Sequence, residues 1–108
     1  MRNNMKNMIE DIIPAKFELA QNYPNPFSDR TTIKFCIPDR MKVKLEIYNS
    51  NNRRVKILLN EIKKAGTYEV EFSAKELDSG EYLYKLETDN LPDGKSGFFD
   101  AKKMTVIK

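Results

Sequence analysis

The sequence predicts an all-β fold, an immunoglobulin-like antiparallel β-sandwich of about seven strands. Three observations predict it. Apolar residues recur at every second position in several short runs, the period of a strand with one buried face. Clusters of Pro, Asn, Asp and Gly separate those runs at intervals of roughly 8 to 14 residues. The 108 residues suit one domain, large enough to bury a core without a metal or a disulfide.

The elements follow in chain order. Asn4 to Ile13 sets Met5, Met8, Ile9 and Ile12 at helical spacing, with Asn3 or Asn4 as a cap and Pro14 as a stop. About ten residues are too few for a stable helix alone in water. Residues 1–16 are therefore read as a linker, with a short docking helix as the alternative, and 17–108 as the sandwich domain. Gln21 to Phe27 is a proline-punctuated entry. Pro24 and Pro26 fix φ, remove two amide donors and hold Tyr23 and Asn25 extended. Tyr23 and Phe27 are expected to fold down as apolar lids on a sheet edge. Ile33, Phe35 and Ile37 then share one face, opposite Thr32, Lys34 and Cys36.

Pro38 to Met41 reads as a turn. Val43, Leu45 and Ile47 point inward from the next strand, with Lys42, Lys44 and Glu46 outward. Asn49 to Asn52 is a turn in which asparagine tolerates left-handed backbone. Val55 to Leu59 is a short strand in which either Ile57 or Leu58 faces the core. Asn60 to Gly66 is a charged loop. Tyr68, Val70 and Phe72 alternate with Thr67, Glu69 and Glu71. Ala74 to Ser79 suits one helical turn around Leu77, closed by Gly80. Tyr82, Tyr84 and Leu86 share a face of the following strand. Pro92-Asp93-Gly94 is a turn, and Phe98 to Ile107 is the last strand. The expected core is Ile33, Phe35, Val43, Leu45, Ile47, Tyr68, Val70, Phe72, Leu77, Tyr82, Tyr84, Leu86, Met104 and Val106.

Composition removes most enzyme classes. With no histidine and one cysteine, the usual zinc sites, a Ser-His-Asp triad and a Cys-His pair are all excluded. Cys36 has no partner for an intrachain disulfide and is expected to be inert. Glu69 and Glu71 alternate on an outer face, which reads as solvated strand surface and not as a catalytic pair. Asp89 and Asp93 lack the ligand order and closing glutamate of an EF-hand. No glycine-rich phosphate loop is present. Arg53, Arg54 and Lys56 form a basic cluster without an aromatic platform, so no nucleic acid partner is expected. No cofactor and no metal are expected, and the chain is read as non-enzymatic.

The net charge of +3 is unevenly spread. Arg40 to Lys64 holds eight basic residues against two acidic, a local +6, and Glu69 to Asp100 nine acidic against three basic, a local −6. Such asymmetry marks a binding face or two strand regions that lie side by side and offset each other; the second is expected. No stretch approaches the roughly 18 apolar residues of a membrane span, so direct membrane insertion is not expected. Polar residues interrupt Met5 to Ile13, so no signal peptide is expected there.

Leu19 to Phe27, followed by Thr32-Ile33-Lys34-Phe35, closely resembles the start of the type A C-terminal sorting domain of the type IX secretion system. That domain ends secreted proteins of Bacteroidetes-type bacteria. The likeness runs from about Phe17 to Lys108. Tyr48-Asn49, then Asn52 and Arg53, stand where the family has an aromatic-aspartate pair, a glycine and an arginine. Ala65-Gly66 matches the family's pair before the next strand, and Phe72-Ser73 replaces its tryptophan and aspartate. Gly80-Glu81-Tyr82-Leu83-Tyr84-Lys85-Leu86 resembles its glycine-any-tyrosine strand. Lys102 to Lys108 resembles its lysine-methionine ending with a final lysine.

The resemblance implies a C-terminal secretion signal, carried behind covalently linked N-terminal cargo. It implies transit through the periplasm, recognition by an outer-membrane translocon, and cleavage in the linker by a sortase-like protease. The cargo would then reach the cell surface or the medium. Gly80, Tyr82, Lys103, Met104 and Lys108 are the residues it assigns to translocon recognition, with Lys108 and its carboxylate exposed at the end of the last strand. Two alternatives remain: a structural or adhesive immunoglobulin-like spacer of the flagellar hook-cap kind, and a weaker one, a carbohydrate-binding accessory domain.

Overall fold

The computed structural model describes residues 13–108 and contains seven strands in two antiparallel sheets. The strands are β1 (Glu18–Leu19), β2 (Arg30–Ile37), β3 (Met41–Asn49), β4 (Arg54–Lys63), β5 (Gly66–Ser73), β6 (Gly80–Asp89) and β7 (Ser96–Val106). One sheet has the order β1-β2-β5 and the other β4-β3-β6-β7. The two sheets make the expected all-β sandwich. The stretch Asn4 to Ile13, read as linker with a short helix as the alternative, lies outside the described residues except for Ile13, which is exposed.

Alternation in the sequence becomes burial in the fold. Ile33, Phe35 and Ile37 of β2 face Val43, Leu45 and Ile47 of β3, and Tyr84, Leu86, Met104 and Val106 complete the buried layer. Tyr68, Val70 and Leu77 pack against this layer but stay half-buried. Leu19, Phe27, Ile37, Met41 and Ala74 are core residues beyond those expected. Met41 is the first inward residue of β3 and does not belong to the turn before it.

Four expectations are corrected. Tyr23 is 80% exposed, whereas Phe27 is 4% exposed. Tyr23 exchanges both backbone hydrogen bonds with Thr32, and the side chain before it, Asn22, takes the inward position, so alternation sends the tyrosine ring out. The charged loop after β4 is short: Asn60 and Ile62 continue to pair with Lys44 and Lys42, carrying the strand to Lys63. Ala74 to Ser79 forms no helix; a single bond from the Leu77 N–H to the Ala74 carbonyl closes a turn. Glu46 is buried, because Arg54 meets its carboxylate at 2.8 Å and the Tyr48 hydroxyl donates to it at 3.1 Å.

The open choice in β4 has a physical cause. Leu45 pairs with Leu59 and the next residue, Glu46, pairs with Ile57, so Leu58 is an extra residue in a β-bulge. The bulge breaks the period of two. Leu58 and Leu59 are both half-buried, and Ile57 is 43% exposed. A second shift omits Val55 from the ladder. Turn chemistry is more regular: Asn52 takes a φ of 63°, the left-handed conformation foreseen for that turn.

The opposed charge regions do offset each other. In the β3–β6 register Lys42 faces Asp89, Lys44 faces Glu87 and Glu46 faces Lys85. The acidic strand β5 is matched by β2: Lys34 pairs with Glu69, and Arg30 reaches Glu71 at 3.0 Å. Cys36 is half-buried on the same face, its Sγ 3.3 Å from the Thr67 hydroxyl.

Phe27 and Tyr23 lie four residues apart and differ in burial, which sets a clear contrast. Phe27→Ala should cost about 3–5 kcal/mol, the scale for emptying a buried aromatic site. Tyr23→Ala should stay within about 0.5 kcal/mol, as for an ordinary surface change. Urea denaturation of the two variants checks both values.

Candidate recognition site at the C-terminal strand

Four of the five residues assigned to recognition come together on the β6–β7 hairpin. Gly80 is the cross-strand partner of Val106, Tyr82 of Met104, and Leu83 of Lys103. Gly80 has a φ of 152°, and open space lies where a side chain would sit, so the backbone conformation favours glycine here. Met104 is fully buried and Tyr82 nearly so, with the Tyr82 hydroxyl donating to the Asp78 carbonyl at 2.9 Å. Lys103 is exposed. Lys108 lies just past the strand and is also exposed, yet it is tethered. Its N–H donates to the Ser79 hydroxyl at 2.9 Å and its ammonium to the Lys75 carbonyl at 3.2 Å. Two of the five thus hold the hairpin from inside, and two present cations.

Sequence reasoning missed what lies along the other side of β7. This strand is at the end of its sheet, so its outer peptide groups have no strand neighbour. The entry segment from Gln21 to Phe27 meets them. The Phe27 N–H donates to the Thr105 carbonyl at 3.0 Å, and the Ile107 N–H donates to the Phe27 carbonyl at 2.9 Å. The Thr105 N–H donates to Asn25 Oδ1 at 2.9 Å, and Gln21 Nε2 donates to the Lys103 carbonyl at 2.6 Å. Two motifs about eighty residues apart in sequence therefore form one surface. Their neighbourhood was not legible because hydrogen bonds to a strand edge carry no sequence period.

The entry segment is itself pinned from within. Asn22 is buried; its amide donates to Thr31 Oγ1 at 2.9 Å and to the Pro24 carbonyl at 3.2 Å. Its backbone N–H donates to the Tyr84 hydroxyl at 2.8 Å, and that hydroxyl donates to the Ala20 carbonyl at 2.6 Å. The Phe27 ring packs edge-on against Phe72, with centroids 6.3 Å apart. Near the start of β7, Phe17 stacks on Phe98 with centroids 4.6 Å apart. An outer-face depression of about 300 Å³ adjoins the hairpin, lined by Asn49, Asn52, Glu81, Leu83 and Lys103 among others.

The site thus combines buried anchors, exposed lysines and a capped strand edge. A family model for the secretion system C-terminal sorting domain matches residues 21–95. The chain belongs to that family, the C-terminal sorting domains of type IX secretion. No relative was found among curated proteins. Membership implies a signal domain that engages the type IX system and directs export to the cell surface or the medium.

Tyr84 gives this arrangement a pH signature. Burial pushes its hydroxyl from the ordinary 10.0 up to about 12; the Asn22 N–H opposes this and the Asp100 carboxylate adds to it. Between those values the folded chain keeps a proton that the unfolded chain has lost, so stability falls as pH rises. The contribution is complete below pH 10 and is lost on approach to pH 12. Tyr84→Phe should cost about 1–3 kcal/mol at neutral pH, from the orphaned Ala20 carbonyl and Asn22 amide. It should also lose less stability than the native chain between pH 10 and 12. Melting curves of both across that window check the sign.

Proposed function

We propose that this domain is read, while folded, by the outer-membrane translocon of type IX secretion through the end of the β6–β7 hairpin. The observation that carries the reading is the placement of Lys103 and Lys108 as exposed cations on a strand end that buried residues hold rigid. Gly80, Tyr82 and Met104 shape and anchor the hairpin, and the two lysines contact the partner. Residues 1–16 serve as the linker, and a sortase-like protease cuts there after the cargo has crossed the periplasm. The domain itself begins near Phe17, whose ring, among the described residues, is the first to pack on the sandwich. Its role is that of a non-enzymatic signal.

A test places the full chain behind a signal peptide and a reporter in a host with type IX secretion. The unmodified fusion should reach the surface or medium. Lys103→Ala combined with Lys108→Ala should fold, by circular dichroism, and leave the reporter in the periplasm. Normal export of that double variant would show the lysines to be surface without a recognition role. An unmodified fusion that is never exported would argue for a spacer domain.

A further inference from the structure

We propose that Gln21–Phe27 is a removable cover on the outer edge of β7, and that the partner adds an extended, carboxylate-bearing strand there in its place. The inference rests on the sorting role proposed above and names how the site is engaged.

The cover is a poor imitation of a strand. It satisfies three peptide groups of β7 and the Ile107 N–H just past it, but two of these four bonds come from side-chain amides, those of Gln21 and Asn25. Only Phe27 pairs through its backbone, as an isolated parallel bridge to Val106. Pro24 and Pro26 have no N–H to offer, so the segment cannot extend its pairing toward the start of β7. A true strand would replace the side-chain bonds with backbone ones and continue along the edge. Further up that edge, Ala101 donates its N–H to the Asp100 carboxylate at 2.8 Å, again a local stopgap in place of a neighbour.

The middle of the cover lies toward solvent, although Tyr23 pairs with Thr32 and the Pro24 carbonyl accepts from Thr31 and Asn22. Tyr23, Pro24, Asn25 and Pro26 are all exposed, with Asn22 and Phe27 as the buried anchors at either end. Bonds lying in solvent between two anchors open locally at far smaller cost than the core ladder. By contrast, β4 is an edge broken by two register shifts, a device that discourages strand addition. The β7 edge is regular from Phe98 to Val106 and ends beside Lys103 and Lys108, which suits a strand with acidic side chains. Strand addition would draw on backbone bonds, with the lysines supplying charge complementarity.

Amide exchange and export test this together on the full chain. In the unmodified protein, the Thr105 amide, held by the exposed Asn25 side chain, should exchange at least about tenfold faster than those of Met104 and Val106, which face β6. Equal protection would mean that the cover does not open, and would overturn the proposal. Asn25→Ala should speed Thr105 exchange further and leave export of the reporter fusion undiminished. If that variant folds but is not exported, the segment itself is what the partner reads. Thr105→Pro removes the same bond from the other side and deletes the outward N–H, sparing the ladder to β6. It should fold, as judged by protection of the β6 amides, and lose export. Ile107→Pro provides the same test one step beyond the strand. Normal export of either folded proline variant would overturn strand addition. Failure of the unmodified fusion to leave the cell strikes the sorting role instead, and the exchange result still decides whether the cover opens.

Discussion

The fold depends on how β7, an end strand, is kept from having a bare edge. An unpaired strand edge invites pairing with any other chain, and it also costs hydrogen bonds wherever water is excluded. This chain answers with a segment that precedes the first long strand and lies across the last. Phe27 is its plug, Asn25 and Gln21 are its side-chain donors and acceptors, and Tyr84 fixes it to the sheet beneath through two hydrogen bonds. The beginning and the end of the domain are thereby one structural unit.

That arrangement explains why the hairpin end suits recognition. Tyr82 and Met104 fill the core from opposite strands, so the backbone between them is rigid. Ser79 and Lys75 tie down the last residue, and Phe27 ties down Ile107. What stands free are side chains: Lys103, the flank of Lys108, and Ile107, which is 55% exposed. The hairpin end is thus a preorganised surface, with little chain entropy left to remove from β6 and β7 themselves.

Electrostatics follows the sheet more than the sequence. The basic and acidic halves look like two poles when read along the chain. In the fold, β3 and β6 alternate opposite charges across their ladder, and β2 supplies the cations for β5. Among the described residues, the one carboxylate drawn into the interior is Glu46; Arg54 and Tyr48 hold it there, which also takes Arg54 out of the basic cluster.

The sequence by itself determined the class of fold, most of the strands and most of the core. Each of these rests on a period of two and on turn residues, which are local properties written in neighbouring letters. It also placed Asn52 in a left-handed turn and marked the two motifs that resemble sorting domains. Tertiary structure decided the rest. The bulge at Leu58 arises from pairing with β3, so no period within β4 reveals it. Glu46 is buried because of a residue across the ladder, and Tyr23 is exposed because Asn22 found Thr31 and Tyr84 inside. Above all, the contact between Gln21–Phe27 and Lys103–Ile107 joins residues about eighty positions apart through hydrogen bonds to the β7 edge, two from the Phe27 backbone and two from the Gln21 and Asn25 side chains, which only the closed sandwich brings within reach.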